Sequence, residues 1–177
     1  MKRIVAVLLL VFVAFACKQK EEPNPQSSLP DRPIESFPGK TLEEEKLLRE
    51  VLAKDEKNTR AWIQLGNIMM DSARFNEAVD SYTKALELDP KDVDVRVDMG
   101  TCLRNSGKTD LAIKEYKKAL EISPNHVYAH INMGVALSDK KEYKAAIVEL
   151  EKGLSLNPNI PNAQAIRQEI QRLKTLN

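Results

Sequence analysis

Aromatic residues make up 5% of this 177-residue chain, which has two cysteines, two histidines and a formal net charge of +1. Each shortage excludes something. Two cysteines cannot staple a disulfide framework, and two histidines leave little for general acid–base chemistry. A charge so close to zero sets up no field that would gather nucleic acid, so no nucleic-acid partner is expected. There is no phosphate loop, no Gly-x-Ser-x-Gly and no Cys-x-x-Cys. No catalytic residue, cofactor or metal is assigned, and a non-enzymatic role is expected. A membrane-spanning run is missing too. Ile4 to Ala16 holds thirteen apolar residues, which as a helix is ~20 Å long against a bilayer core of ~30 Å.

What is present begins with that short run. Lys2 and Arg3 precede it and Ala14-Phe15-Ala16-Cys17 ends it, the anatomy of a secretory signal peptide over residues 1–16. The end of the run resembles a bacterial lipobox. That resemblance implies cleavage before Cys17 and acylation of its thiol, with leucine expected where Ala14 stands and a small residue where Phe15 stands. Ala14-x-Ala16 also suits ordinary signal cleavage, and an uncleaved anchor is the third option. Residues 17–40 then read as a flexible tether, polar and carrying Pro23, Pro25, Pro30, Pro33 and Pro38, because so little apolar surface cannot offset chain ordering. Two acyl chains would hold the protein stably on a membrane. The expected location is a bacterial cell envelope, facing the periplasm or the cell exterior. With Cys17 acylated, Cys102 has no partner and reads as a small buried hydrophobe.

From residue 41 the chain repeats itself. Pro90, Pro124 and Pro158 are 34 residues apart, as are Gly66, Gly100 and Gly134, and Ala78, Ala112 and Ala146. A fixed period of this size marks a solenoid. Apolar residues recur at helical spacing over Thr59–Asp71 and again from Phe75 to Leu88, with a break at Ser72–Arg74. Each repeat is therefore a helical hairpin of helices A and B. A mid-helix glycine costs ~0.5–1 kcal/mol relative to alanine. Three at one phase imply a close approach to Ala78, Ala112 and Ala146, with Tyr82, Tyr116 and Leu150 filling the next turn.

Trp62, Leu65, Gly66, Met69, Ala78, Tyr82, Ala85 and Pro90 together resemble the tetratricopeptide repeat (TPR) pattern. Repeat two matches at Met99, Gly100, Leu103, Ala112, Tyr116, Ala119 and Pro124, with Arg96 in the first large position. Repeat three matches at Met133, Gly134, Leu137, Ala146, Leu150 and Pro158. It has His130 in that first position and Gly153 at the third small one. The resemblance implies an all-α TPR solenoid over 41–177, with repeats 59–92, 93–126 and 127–160. A half-repeat helix opened by a Thr41-x-x-Glu44 capping box would precede them, and Trp62 should pack on it. A cap helix over 161–177 would follow, with Pro161 in its first turn and Ala163, Ile166, Ile170 and Leu173 inward.

The resemblance also implies a docking groove for partner segments, lined by the A helices. Phase-equivalent positions hold Ile63, Val97 and Ile131, then Asn67, Thr101 and Val135, then Met70, Arg104 and Ser138, with Arg60 and Tyr128 at the edge. The expected partners are other envelope proteins or peptides, and the expected role is a scaffold or adaptor in their assembly. The carboxylate clamp of chaperone-binding members is not expected, because of its five positions only Asn67 agrees, and Ile63, Asp98, Tyr128 and Asn132 leave it without a cation. His126 and His130 share a metal-compatible i, i+4 spacing, but no third ligand stands beside them. Lys114, Lys117, Lys118, Lys140, Lys141 and Lys144 are mixed with acidic residues and read as a solvated face.

Overall fold

Helices at a 34-residue period need neighbours to cover their apolar stripes, and the structure is the stack that results. The computed structural model describes the backbone of residues 38–176 and side chains from Leu42. The signal-type segment 1–16, Cys17 and residues 18–37 lie outside the described residues. Eight helices follow in order among those described: α1 (Pro38–Lys54), α2 (Thr59–Asp71), α3 (Phe75–Leu88), α4 (Val93–Asn105), α5 (Thr109–Ile122), α6 (Val127–Asp139), α7 (Tyr143–Leu156) and α8 (Ala163–Thr175). Each packs on the next, so α2–α3, α4–α5 and α6–α7 are the A–B hairpins.

The boundaries have local causes that recur at the repeat period. Asn58, Asp92 and His126 cap the A helices, their side chains accepting from Ala61, Val95 and Ala129 N–H at 3.0, 3.0 and 3.1 Å. Each A helix ends in a left-handed residue, Ala73 (φ 57°), Gly107 (φ 81°) or Lys141 (φ 64°). The following amide then reaches back to the last helical turn, Arg74 to Met69, Lys108 to Leu103 and Glu142 to Leu137, at 2.8–2.9 Å. This is the six-to-one closure of a Schellman turn.

Two expected boundaries move. Helix α1 opens at Pro38, so Thr41 lies inside it rather than capping it, and residues 38–40 are helical rather than tether. A proline at the first helical position lacks only an N–H that had no partner anyway. Helix α8 opens at Ala163, leaving Pro161 in the preceding turn. That offsets α8 by two residues from the repeat phase, and in this register Ala163, Ile166, Ile170 and Leu173 are buried.

The core is a single column of A–B contacts. Ala78, Ala112, Ala146, Tyr82 and Tyr116 are fully buried, and Leu150 nearly so. The glycines serve these larger side chains more than the alanines. A Cβ on Gly66 or Gly100 would lie 2.5 Å from the ring of Tyr82 or Tyr116, and one on Gly134 would lie 2.7 Å from Leu150 Cγ. In the third repeat the alanine backbone is close as well, with Ala146 O at 3.1 Å. Gly153 has a similar reason: a Cβ there would collide with the Ile131 side chain. Cys102 is fully buried, and burial, then the charge of Asp98, pushes its thiol up to about 12. It is a packing residue.

The first large position of each repeat carries a further regularity. Trp62 Nε1 donates to Glu56 O at 2.9 Å, Arg96 to Pro90 O at 2.7 Å, and His130 Nε2 lies 3.0 Å from Pro124 O. These three carbonyls are themselves 34 residues apart. Arg96 also pairs with Glu115 at 2.8 Å, and His130 Nδ1 with Glu149 at 2.7 Å. In repeat one the position of those glutamates holds Ser81, which bonds back to Glu77 O. Arg96 and His130 therefore fit the repeat because a carboxylate has replaced the serine.

Candidate partner-binding face

The A helices form the inner layer of the stack. Helices α4 and α6 touch directly, and three side-chain bridges join these segments: His126–Asp94 at 2.9 Å, Asn132 to Thr101 at 3.2 Å and Arg104–Asp139 at 3.2 Å. The exposed face of α2, α4 and α6 is where a partner segment would lie.

Not every expected groove residue is on that face. Val97 and Ile131 are 3% and 7% exposed and belong to the core. Ile63 is partly buried against the same core. This corrects the expected line of aliphatic anchors. Ile131 packs against Gly153 of its own B helix, so this phase of the A helix faces inward and Val97 and Ile131 are closed to a partner.

The next turn is accessible, but its residue types answer to the core. Tyr82 donates its phenolic proton to Asn67 Oδ1 at 2.8 Å, and the Tyr116 hydroxyl lies 3.3 Å from Thr101 Oγ1. The third repeat has Leu150 in place of tyrosine and Val135 in place of the polar partner. Asn67, Thr101 and Val135 thus follow whether the buried side chain behind them carries a hydroxyl, since a buried phenol needs an acceptor. Met70 is partly buried, its sulfur 3.8 Å from the Tyr82 hydroxyl. Arg104 is held by Asp139, and Ser138 donates to Glu169 of α8 at 3.2 Å.

Of the groups left without such a task, Tyr128 is the one expected at the groove's edge, while Asp98 and Gln64 are not among the expected groove residues. Asp98 on α4 is partly buried and held by no hydrogen bond or ion pair among the described residues. Burial raises its carboxyl to about 6; Asp94, Asp92 and Asp71 push it further up, and His126 opposes them. Gln64 holds the same phase on α2, and its Oε1 is buried with no hydrogen-bond donor. Tyr128 on α6 is 52% exposed. Both histidines are occupied. His126 Nδ1 accepts the Ala129 N–H, so its Nε2 carries the proton donated to Asp94. His130 lies between Glu149 and Pro124 O, and neither imidazole has a free nitrogen for a metal.

Among solved structures, the fold is shared with MamA (21% identity, TM-score 0.67, covering 76% of this chain and 85% of that one). It is also shared with the TPR domain of Arabidopsis OM64 (22%, 0.61, 66% and 94%). A third is the first TPR of Spaghetti (RPAP3) bound to the HSP90 peptide SRMEEVD (20%, 0.63, 69% and 94%). No curated protein matches the chain. The family model of the cytochrome c-type biogenesis protein H TPR domain matches residues 45–165, which cover all three hairpins. With that match over two thirds of its length, the chain belongs to the family of the cytochrome c-type biogenesis protein H TPR domain.

Proposed function

We propose that this protein is a non-enzymatic adaptor, tethered through lipid on Cys17 to a bacterial envelope membrane. It docks segments of envelope proteins on the inner face of α2, α4 and α6 and aids their assembly. The observation that carries the docking half is the inner layer itself. Three A helices in register present partly exposed groups that the core does not satisfy, Asp98 foremost. The family's name supports a place in the biogenesis of c-type cytochromes, and the assembly of such proteins is the form of the reading it favours. The anchoring half rests on the short apolar run, the small residues ahead of Cys17 and the proline-rich stretch after it. A soluble secreted accessory protein is the second reading, favoured by Ala14-x-Ala16 as an ordinary cleavage site.

Cys17→Ser separates the two. The lipid-anchored form should lose acylation and processing, and run as the longer, uncleaved chain. A variant still processed and released like the native chain would favour the soluble form. Docking is tested by pull-down of envelope proteins on the native chain, with the inner face blocked in a parallel sample. Recovery that ignores the block would move the working surface to the B helices.

A further inference from the structure

We infer that the inner face selects a partner segment bearing a lysine or arginine, which takes Asp98 as its counter-ion. The inference rests on the docking reading above and adds the chemistry of the partner. Its ground is a mismatch between this residue and its neighbours. Asn67 and Thr101 complete buried tyrosines, Asn132 bonds to Thr101, and Arg104 is tied to Asp139. Asp98 sits among them with no donor among the described residues, although a partly buried carboxylate is costly unless paired.

Among the described residues, no lysine or arginine pairs with it. The charged groups that act on it are Asp94 and Asp92 at the start of α4, Asp71 at the end of α2, and His126 ahead of α6. His126 is bonded to Asp94 and to the Ala129 amide, so it is not available as a partner. Three aspartates and an unpaired carboxylate make this stretch of the face electronegative. An incoming ammonium or guanidinium supplies N–H donors and positive charge together. Partly exposed Ile63, Met70 and Val135 and exposed Tyr128 accept the apolar remainder of such a segment. SRMEEVD, bound in the neighbouring TPR structure, has one arginine but a net negative charge, so as a whole it is the wrong sign here.

A displayed library of random dodecapeptides, selected on the full chain in detergent, tests this. Native protein should enrich lysine- and arginine-containing peptides, and Asp98→Asn should lose that bias. Binding of an enriched peptide to the native chain should weaken with salt. It should also fall as pH drops through about 6. Groove-dependent enrichment with no cationic bias, or a bias unchanged in Asp98→Asn and insensitive to salt, overturns the inference and leaves docking standing. If no peptide is enriched, docking on this face falls as well. The salt and pH series use the native chain alone, so the outcome does not depend on the variant folding.

Discussion

The first and second repeats share a backbone and differ in how they fix the start of helix A. Repeat one uses an indole, Trp62, which donates to one carbonyl and has Ser81 opposite. Repeat two uses a guanidinium, Arg96, which makes the same bond and is neutralised by Glu115, both side chains being 12% exposed. Repeat three follows the second with His130 and Glu149. The fold therefore requires a donor of a certain reach at this position, and not an aromatic ring. It accepts a cation there if a carboxylate replaces the serine on helix B. The inner face shows the same logic. Hydroxyl and acceptor come together in Tyr82–Asn67 and Tyr116–Thr101, and both are lost together in Leu150–Val135.

The largest effect should come from testing which phase faces the core. Val97→Glu places a charge where the side chain is 3% exposed, and should cost about 4 kcal/mol or unfold the stack. Ile63→Glu, at the same phase of the first repeat but only partly buried, should cost about half as much. Thermal melts of the two variants decide it. Equal and small losses would reopen these residues as groove lining.

Next in size is the ion pair itself. Glu115→Ala leaves Arg96 charged and without its counter-ion, and should cost about 3 kcal/mol. Glu149→Ala should cost less, because a guanidinium always carries its charge and an imidazole need not. The comparison sharpens in a double variant. Arg96→Trp with Glu115→Ser rebuilds repeat one's chemistry in repeat two, so it should be more stable than either single change. Denaturant titrations give the coupling. Additive losses would mean that the matched substitutions are coincidental.

The helices and their phase were legible in the sequence because proline, glycine and alanine recur at 34 residues and each acts locally, through a cap, a turn or a close approach. The two shifted boundaries, at Pro38 and Ala163, are positions where the repeat pattern gives way to flanking sequence and no periodic neighbour fixes the register. The inner face was harder to read. Ile63, Val97 and Ile131 lie at one phase, but phase alone does not separate a stripe facing its own B helix from one facing a groove. Gly153 was the available clue, since an extra-small residue on helix B implies a larger side chain opposite. Pairing each A-helix residue with its partner 15 or 19 positions on would have exposed the Tyr–Asn, Tyr–Thr, Arg–Glu and His–Glu matches. Asp98 stands out only after those matches are removed.

Asp98 yields a smaller effect of opposite sign. Burial holds its carboxyl at about 6, above the unfolded range, so ionising it costs stability in the folded state. That cost is absent below the unfolded value, grows as pH rises toward about 6 and is complete above it. Asp98→Asn should therefore match the native chain near pH 4 and exceed it by about 1 kcal/mol at pH 7, allowing for solvent screening. Urea titrations at the two pH values read this directly. A variant less stable at pH 7 would show that the carboxylate has a structural partner, and would remove the reason to seek one on a ligand.

The smallest effect separates the three A–B turns. Ala73, Gly107 and Lys141 occupy one phase, and all have positive φ, at 57°, 81° and 64°. Only one is glycine, so two turns carry a side chain in a conformation that costs an L-residue about 1 kcal/mol or more. A Cβ built on Gly107 meets nothing within 4 Å. Gly107→Ala therefore adds no clash and reports the backbone cost alone. It should destabilise by about 1 kcal/mol. Ala73→Gly and Lys141→Gly should run the other way, gaining about 0.5 kcal/mol each, because the relieved strain is offset in part by the greater freedom of glycine in the unfolded chain. The three variants share one backbone geometry, so their melts can be compared without correction for lost contacts. A loss at Ala73→Gly as large as the loss at Gly107→Ala would mean that the side chain at 73 contributes packing that outweighs its strain, and that the first turn is held by more than its backbone bonds.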